Sequence, residues 1–334
     1  MNLKTIAEKA GVSTATVSNV INGNYHKVSE ETRKRVEAII RETDYQPSVM
    51  ARALSKKATK TIGLIIPYVG ADEDFMINSY YAYVIGAVEQ LARSRGYYLM
   101  LRCTTEAKEI LPLLEAWQLD GAIFLGVFEK EAREIVRKFS APAVFIDTYT
   151  EDDKIVSVGI DDYRGGYLSA RYLISKGHRR LALVSPQTGE GVIRERYMGF
   201  SDACRESGID FGEEDVFLSD ALFQTASNIG QDIVLSGRGY TAIATMSDQV
   251  AMQMMVGIRQ CGVRIPEDIS IIGFDNVPEG AYAYPRLTTV EQDYRTKALV
   301  AGEYLIRMIE GDRQVTAHEK LPVRIKERDS VHAL

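Results

Sequence analysis

The most chemically distinctive residues of this chain stand near its start, in the stretch "AGVSTATVSNVINGN" from Ala10 to Asn24. At helical spacing its outward face carries Thr14, Ala15, Ser18, Asn19 and Asn22. Hydroxyls and amides donate and accept hydrogen bonds, and side chains this small let a helix lie deep in a major groove against base edges. A helix that merely faces water would carry Lys and Glu instead.

A second group of polar residues follows apolar runs. Tyr80 and Tyr81 come after "TIGLII", Asp147 after "AVFI", Arg194 and Arg196 after "LALVS", Ser247 and Asp248 after "AIATM", and Asp275 after "ISIIGF". In open α/β sheets ligands sit beyond the carboxyl ends of strands, and interfaces between subdomains favour pockets. Arg196 offers five planar donors and Asp275 can accept two hydroxyls. Tyrosine rings can stack on a sugar face. The set suits a hydroxyl-rich ligand, and an Arg196–Asp275 ion pair clamping the cleft is the structural alternative.

Catalytic and metal-binding chemistry has no comparable signal. The chain lacks a GxxxxGK[ST] loop, a GxGxxG fingerprint, a GxSxG elbow and an HExxH pair. Cys103, Cys204 and Cys261 form no CxxC pair, so neither a zinc site nor a disulfide framework is expected, nor any cofactor. His178, in "KGHRRL", reads as a structural residue beside a helix C-terminus.

The elements that must position these residues follow from periodicity. Leu3, Ile6, Ala7 and Ala10 form one helical stripe, Gly11 ends it and Ser13 caps the next helix. Val17, Val20 and Ile21 face inward from that second helix. A third helix begins at a Ser29 cap and turns Thr32, Val36, Ile39 and Ile40 inward. The spacing is that of a helix-turn-helix. Pro47 closes this bundle, Ser48 can cap a short helix over 49–55, and "KKATK" connects onward. From residue 61 apolar runs begin at 61, 97, 121, 142, 181, 242 and 269, mostly with amphipathic helices between. That alternation indicates parallel sheets covered on both faces, in two units. The helical stretch 163–177 ends at Gly177, and the second unit begins near "RRLALVS".

Charge divides the same way. Residues 1–60 carry 11 Lys and Arg against 6 Asp and Glu, or +5, and the remaining residues carry 29 against 40, or −11. A basic head on an acidic body suits a protein whose head alone meets a polyanion. The N-terminus lacks a signal-peptide pattern, and nowhere do 18 apolar residues run together, so a cytoplasmic protein with no membrane partner is expected.

"TIAEKAGVSTATVSNVIN", "VSEETRKRV", "YQPSVMARAL" and "KTIGLIIP" resemble the lactose-repressor (LacI/GalR) family of bacterial transcription regulators. So do "SVGIDDYRGGYLSARYLISKGHRRLALVS", "RERYMGF", "MSDQVAM", "GVRIPEDISIIGFDN" and "RLTTVEQD", so the likeness covers nearly the whole chain. It implies an all-α helix-turn-helix DNA-binding head and an α/β effector domain of two Rossmann-like parallel-sheet subdomains, like periplasmic sugar-binding proteins. The implied boundaries are 1–47 for the head, 48–60 for a hinge helix and linker, and 61–334 for effector binding and dimerisation. Within the last, one subdomain spans about 61–161 plus 291–318 and the other 162–290 plus 319–334.

The resemblance further implies that Thr14, Ala15 and Asn19 contact bases while Ser13, Thr16 and Ser18 position phosphates. Segment 48–56 resembles the family's hinge helix, in which Ala53 and Leu54 meet the minor groove and Leu54 wedges between base pairs. Tyr80, Tyr81, Asp147, Arg194, Arg196, Asp248 and Asp275 match effector positions. Asp161 reads as either a cleft residue or a crossover-strand cap, and Phe223 as an aromatic wall or a core residue. The implied partners are a near-palindromic double-stranded operator, a small-molecule effector of carbohydrate type and a second copy of the chain. Three departures stand out. The loop containing Asp72, Glu73 and Asp74 is long and acidic, Asp162 stands where the family often has Asn, and no leucine heptads follow Arg328. The alternative from another class is a sugar-binding or sugar-active α/β protein with a basic N-terminal extension.

Overall fold

The computed structural model describes residues 2–21, 23–43, 59–67, 79–186, 190–219, 223–312 and 314–334, with Phe223 and Gln224 described by backbone alone. Asn22, the hinge segment with Ala53 and Leu54, the acidic loop at 72–74 and the Phe223 side chain therefore lie outside the described residues. Two compact units form, Met1–Thr61 with Gln118–Asp120, and Ile62–Trp117 with Gly121–Leu334.

The first unit is built on three capped helices. Helix α1 (Leu3–Ala10) starts where Asn2 accepts the Thr5 N–H and stops at Gly11, whose φ of 64° is a conformation glycine adopts without strain. Helix α2 (Thr14–Ile21) starts where Ser13 Oγ accepts the Thr16 N–H at 3.1 Å. Helix α3 (Glu30–Glu42) starts at Ser29, with Glu30 and Glu31 at its positive end. Ile6, Ala7, Ala10, Val17, Val20 and Val36 are buried together, with Leu3, Val12, Ile21, Ile39 and Ile40 around them. Each fully buried aliphatic side chain contributes about 1.5–3 kcal/mol. A short 3₁₀ turn, Tyr25–Lys27, precedes α3, and Arg33 of α3 lies 3.8 Å from the Tyr25 ring centroid.

The second unit holds two sheets with the same strand order. The first contains β1 (Thr61–Ile66), β2 (Tyr98–Cys103), β3 (Gly121–Leu125), β4 (Ala143–Ile146) and β5 (Val156–Ile160). The second contains β6 (Leu181–Ser185), β7 (Val216–Leu218), β8 (Ala242–Thr245), β9 (Ser270–Asp275) and β10 (Thr288–Gln292). Two late strands, β11 (His318–Leu321) and β12 (Val323–Lys326), complete the orders β11-β5-β4-β3-β1-β2 and β12-β10-β9-β8-β6-β7. Strand β11 joins its sheet parallel to β5, whereas β12 runs antiparallel to β10. The central strands β3 and β4 are buried at every residue, as strands covered on both faces must be.

Helices α4 (Ser79–Ser94), α5 (Ile110–Ala116), α6 (Glu129–Lys138) and α11 (Tyr294–Ile309) accompany the first sheet. Helices α7 (Asp162–Ser175), α8 (Gly191–Glu206), α9 (Phe223–Leu235) and α10 (Asp248–Gln260) accompany the second. The chain passes between the halves three times, after β5, after β10 and at Pro322 between β11 and β12. The described structure thus moves two subdomain boundaries from those the sequence suggested. Glu291 and Gln292 belong to the second sheet through the β10–β12 pairing, and Glu319–Leu321 belong to the first through β5. Ile160, Phe274 and Val290 form a small core at these crossings, with Leu321, Val323 and Ile325 against it.

His178, 1% exposed, is bonded to the Thr241 hydroxyl and the His332 carbonyl. It ties down the C-terminal tail rather than a helix end. Among the described residues no helix is long and apolar enough to cross a membrane, and no group of three His, Cys, Asp or Glu could hold a metal ion.

Candidate functional site

The second unit has a cleft of about 1360 Å³, lined from both halves by residues that include Tyr80, Tyr81, Asp147, Arg194, Arg196 and Asp275. Tyr80 and Tyr81 stand in the first turn of α4, Arg194 and Arg196 in the first two turns of α8, Asp147 just after β4 and Asp275 at the last position of β9. The two aspartates adopt backbone conformations that side chains rarely take, φ 61° at Asp147 and φ 120° at Asp275. Strain of this kind persists where the surrounding structure over-determines it, and it collects at functional sites.

Arg196 is anchored before any ligand arrives. Its Nε donates to Asp162 Oδ1 at 2.7 Å, its Nη1 donates to the Met246 carbonyl at 2.7 Å, and its guanidinium lies 3.6 Å from the Phe274 ring centroid. The ion partner is thus Asp162, at the start of α7, and not Asp275. The Tyr149 hydroxyl donates to the other Asp162 oxygen at 2.8 Å. Full burial raises the Asp162 pKa against the opposing pull of Arg196. Burial also works against the Arg196 charge, but the Asp162 and Asp275 carboxylates outweigh it and hold the guanidinium pKa above its usual value.

Backbone contact fixes this pair. A Cβ on Gly166 would come 1.9 Å from the Arg196 carbonyl oxygen, and one on Gly199 1.9 Å from that of Tyr163. Helices α7 and α8 therefore cross main chain against main chain, and only glycine fits at either point. The crossing places the residues flanking it, Asp162 on one helix and Arg196 on the other, at bonding distance.

A second ion pair stands opposite. Lys297, completely buried in the first turn of α11, donates to both oxygens of Asp147 at 2.7 and 2.9 Å and to Gln292 Oε1 at 2.7 Å. The Tyr80 hydroxyl also donates to Asp147, at 2.6 Å. Burial, with the Asp147 charge beside it, raises the Tyr80 pKa well above the phenol value. Gln292 Nε2 donates to Asp275 Oδ1 at 2.6 Å. Among the described residues no cation comes within ion-pairing distance of Asp275, and no donor reaches its Oδ2. Burial pushes the Asp275 carboxyl up to about 6, although Arg196 pulls the other way. Around the cleft two carboxylates are thus paired with cations, while Asp275 lines it without a paired cation among the described residues.

Asp248 is a correction to the sequence reading. It is fully buried and does not line the cleft. Its oxygens accept the Val277 N–H at 2.9 Å and the Thr289 hydroxyl at 2.6 Å, which pins the turn after β9. Burial and the nearby Asp275 charge push its pKa well up. The neighbouring Ser247 lines the cleft instead and caps α10. Asp161, one of the two open readings, is an exposed cap that accepts the Arg164 N–H at 2.8 Å.

Sequence reasoning missed Tyr149, Gln292 and Lys297. Lys297 had a signal, since it shares a helical stripe with the fully buried Ala301 and Leu305.

On α2, Thr14 and Ala15 are exposed, whereas Thr16, Ser18 and Asn19 are half-buried. The Ser13 and Thr16 hydroxyls lie 2.9 Å apart, and Ser13 also caps the helix. Asn24 Nδ2 donates to Asn19 Oδ1 at 3.4 Å, so the Asn19 amide is oriented from behind.

A helix-turn-helix head and a two-sheet body with a charged cleft define a ligand-responsive DNA-binding regulator. Residues 2–48 match the family described as bacterial regulatory proteins of the lacI family, and residues 170–331 match the periplasmic binding protein-like domain. The chain is 32% identical over 314 residues to the HTH-type transcriptional repressor PurR of Photobacterium profundum, covering 92% of this chain and 91% of that one. The lac repressor dimer bound to operator and the anti-inducer ONPF superposes with a TM-score of 0.85 at 24% identity, covering 100% of this chain and 99% of that one. A LacI family regulator from Enterococcus faecium with bound ribose gives 0.71 at 25% identity over 82% of this chain and 99% of that one. The chain belongs to the lacI family of bacterial regulatory proteins. It is an effector-binding transcriptional repressor of that family, not an enzyme.

Proposed function

We propose that the protein works in the cytoplasm as a homodimer, reading the half-sites of a near-palindromic operator through its two α2 helices and releasing or gripping that operator according to a carbohydrate in the cleft. The observation that carries the effector class is the Asp275 carboxylate, buried, free of any cation among the described residues and turned to the same opening as Arg196. A vicinal diol answers both groups, because its hydroxyls donate to Asp275 and accept from the guanidinium. The tyrosine rings at 80 and 81 supply a face for the ring carbons. The ribose bound by the Enterococcus faecium regulator supports the same class.

On the DNA side, Thr14, Ala15 and Asn19 are the base-reading residues, and Ser13, Thr16 and Ser18 position the backbone. Ala53 and Leu54 of the hinge segment, outside the described residues, enter the minor groove. Pairing of two chains is supported by Tyr282 and Tyr284, 86% and 85% exposed, with Arg259 of α10 lying 5.7 Å from the Tyr284 ring.

Two measurements test the reading. Selection from random duplexes yields a near-palindrome with A·T where Asn19 reads, because an amide pairs bidentately with adenine. Asn19→Arg moves the preference to G·C by about 10- to 100-fold. Invariant G·C under the native chain would remove Asn19 as a reader, and no enriched palindrome would defeat the dimeric regulator. Thermal-shift screening with pentoses, hexoses, disaccharides, purine bases and nucleosides finds a stabilising sugar. Stabilisation by a purine alone would transfer the cleft to nucleobases.

A further inference from the structure

We propose that Lys297 is a positioning residue for the effector: its ammonium fixes the Gln292 amide so that Asp275 is held by one oxygen and offers the other to the cleft. The inference rests on the cleft being the effector site. Lys297 Nζ has three acceptors, the two Asp147 oxygens and Gln292 Oε1, which match the three N–H bonds of an ammonium. That arrangement settles the Gln292 amide. Its oxygen must face the lysine, so its NH₂ must face Asp275 Oδ1, and the two ends cannot exchange without placing oxygen against oxygen at 2.6 Å.

The relay joins parts that could otherwise move independently. Asp147 directly follows β4 and Lys297 lies in the first turn of α11, both with the first sheet, whereas Gln292 and Asp275 end β10 and β9 of the second. Gln292 precedes one of the three crossings between the halves. A buried lysine that spends every donor on this line organises the oxygen a ligand would touch, although it does not line the cleft itself. Removing it frees the amide to turn and leaves the half-buried Asp147 without its cation.

The test needs no effector. The ionisable groups around Asp275 are Arg196, Lys297, Asp147, Asp248, Tyr80 and Tyr294. The melting temperature of the full chain is followed from pH 4.5 to 8 with and without Asp275→Asn. The difference isolates the Asp275 titration, a step near pH 6. With Lys297→Met the step moves up by about one pH unit or more, since both a neighbouring positive charge and an oriented donor are lost. With Gln292→Leu already present, Lys297→Met moves it distinctly less. A step that stays in place makes Lys297 a packing residue. An equal shift with and without Gln292 makes it a remote charge, and either result overturns the proposal. Should Lys297→Met fail to fold, Lys297→Gln, which keeps an amide to bond Asp147, is read by the same criteria. A chain that binds no sugar would refute the effector class and leave this measurement intact.

Discussion

Arg196→Ala melts far below the native chain, by something on the order of 10 °C, and the variant no longer responds to effector. The reason is the uncompensated charge it leaves. Asp162 is fully buried, and its closest cation is the Arg196 guanidinium at 2.7 Å. Breaking a buried pair by removing one partner costs about 3–5 kcal/mol, and in a body of this size each kcal/mol moves Tm by roughly 2–4 °C. Asp162→Asn in the same chain restores much of the lost stability, because an amide keeps a polar partner for the Tyr149 hydroxyl without a buried charge. It does not restore the response, which needs the guanidinium in the cleft. Calorimetry of the single and double variants decides the matter. A single variant that melts within about 2 °C of the native chain would show that the ion pair contributes little.

Asp275→Asn has the opposite sign for stability and the same sign for function. In the folded chain the carboxyl titrates at about 6, raised from 3.8 by burial. The folded state therefore holds this proton more tightly than the unfolded state. Stability is greatest below the unfolded pKa, falls as pH rises through 6 and stays lower above it. A rise of this size costs the empty protein roughly 3 kcal/mol at neutral pH. An asparagine keeps the Gln292 bond and carries no charge, so the variant melts several degrees higher at pH 7.5 and by about a third as much at pH 4.5, the difference vanishing only below the unfolded pKa. The effector-dependent change in DNA affinity is lost, because the acceptor pair proposed for the ligand hydroxyls is gone. A variant less stable than the native chain at pH 7.5 would mean that Asp275 is held ionised by something other than the neighbours named above. This is a site at which binding capacity is maintained against the stability of the empty protein.

Much of this architecture could be read directly from residue order. The head was legible because its signals are local: Ser13, Ser29 and Gly11 act on residues within one turn, and the inward stripes recur at helical spacing. The apolar strands β1, β3, β4, β6, β8 and β9 were legible because strands covered on both faces are continuously apolar, and β2, an exposed edge strand, was legible only from its apolar composition. Strands β5, β7, β10, β11 and β12 were not. "HEKL" and "VRIK" alternate or are polar, and β7 has three residues, so their pairing is decided by partners far along the chain. The same distance explains the site. Arg196 and Asp275 were found because they follow strands. Asp248 also follows one, yet Thr289, 41 residues away, turns its carboxylate from the cleft. The partner of Arg196 was visible only as an aspartate in an unusual place.

The three crossings at Asp161, Asp293 and Pro322 have a mechanical consequence. Two bodies joined by one strand can gape like a jaw. Two bodies joined by three, with Ile160, Phe274 and Val290 wedged among them, behave as a torsion bar. Separation would stretch every thread at once, whereas twist spreads a small dihedral change over all of them.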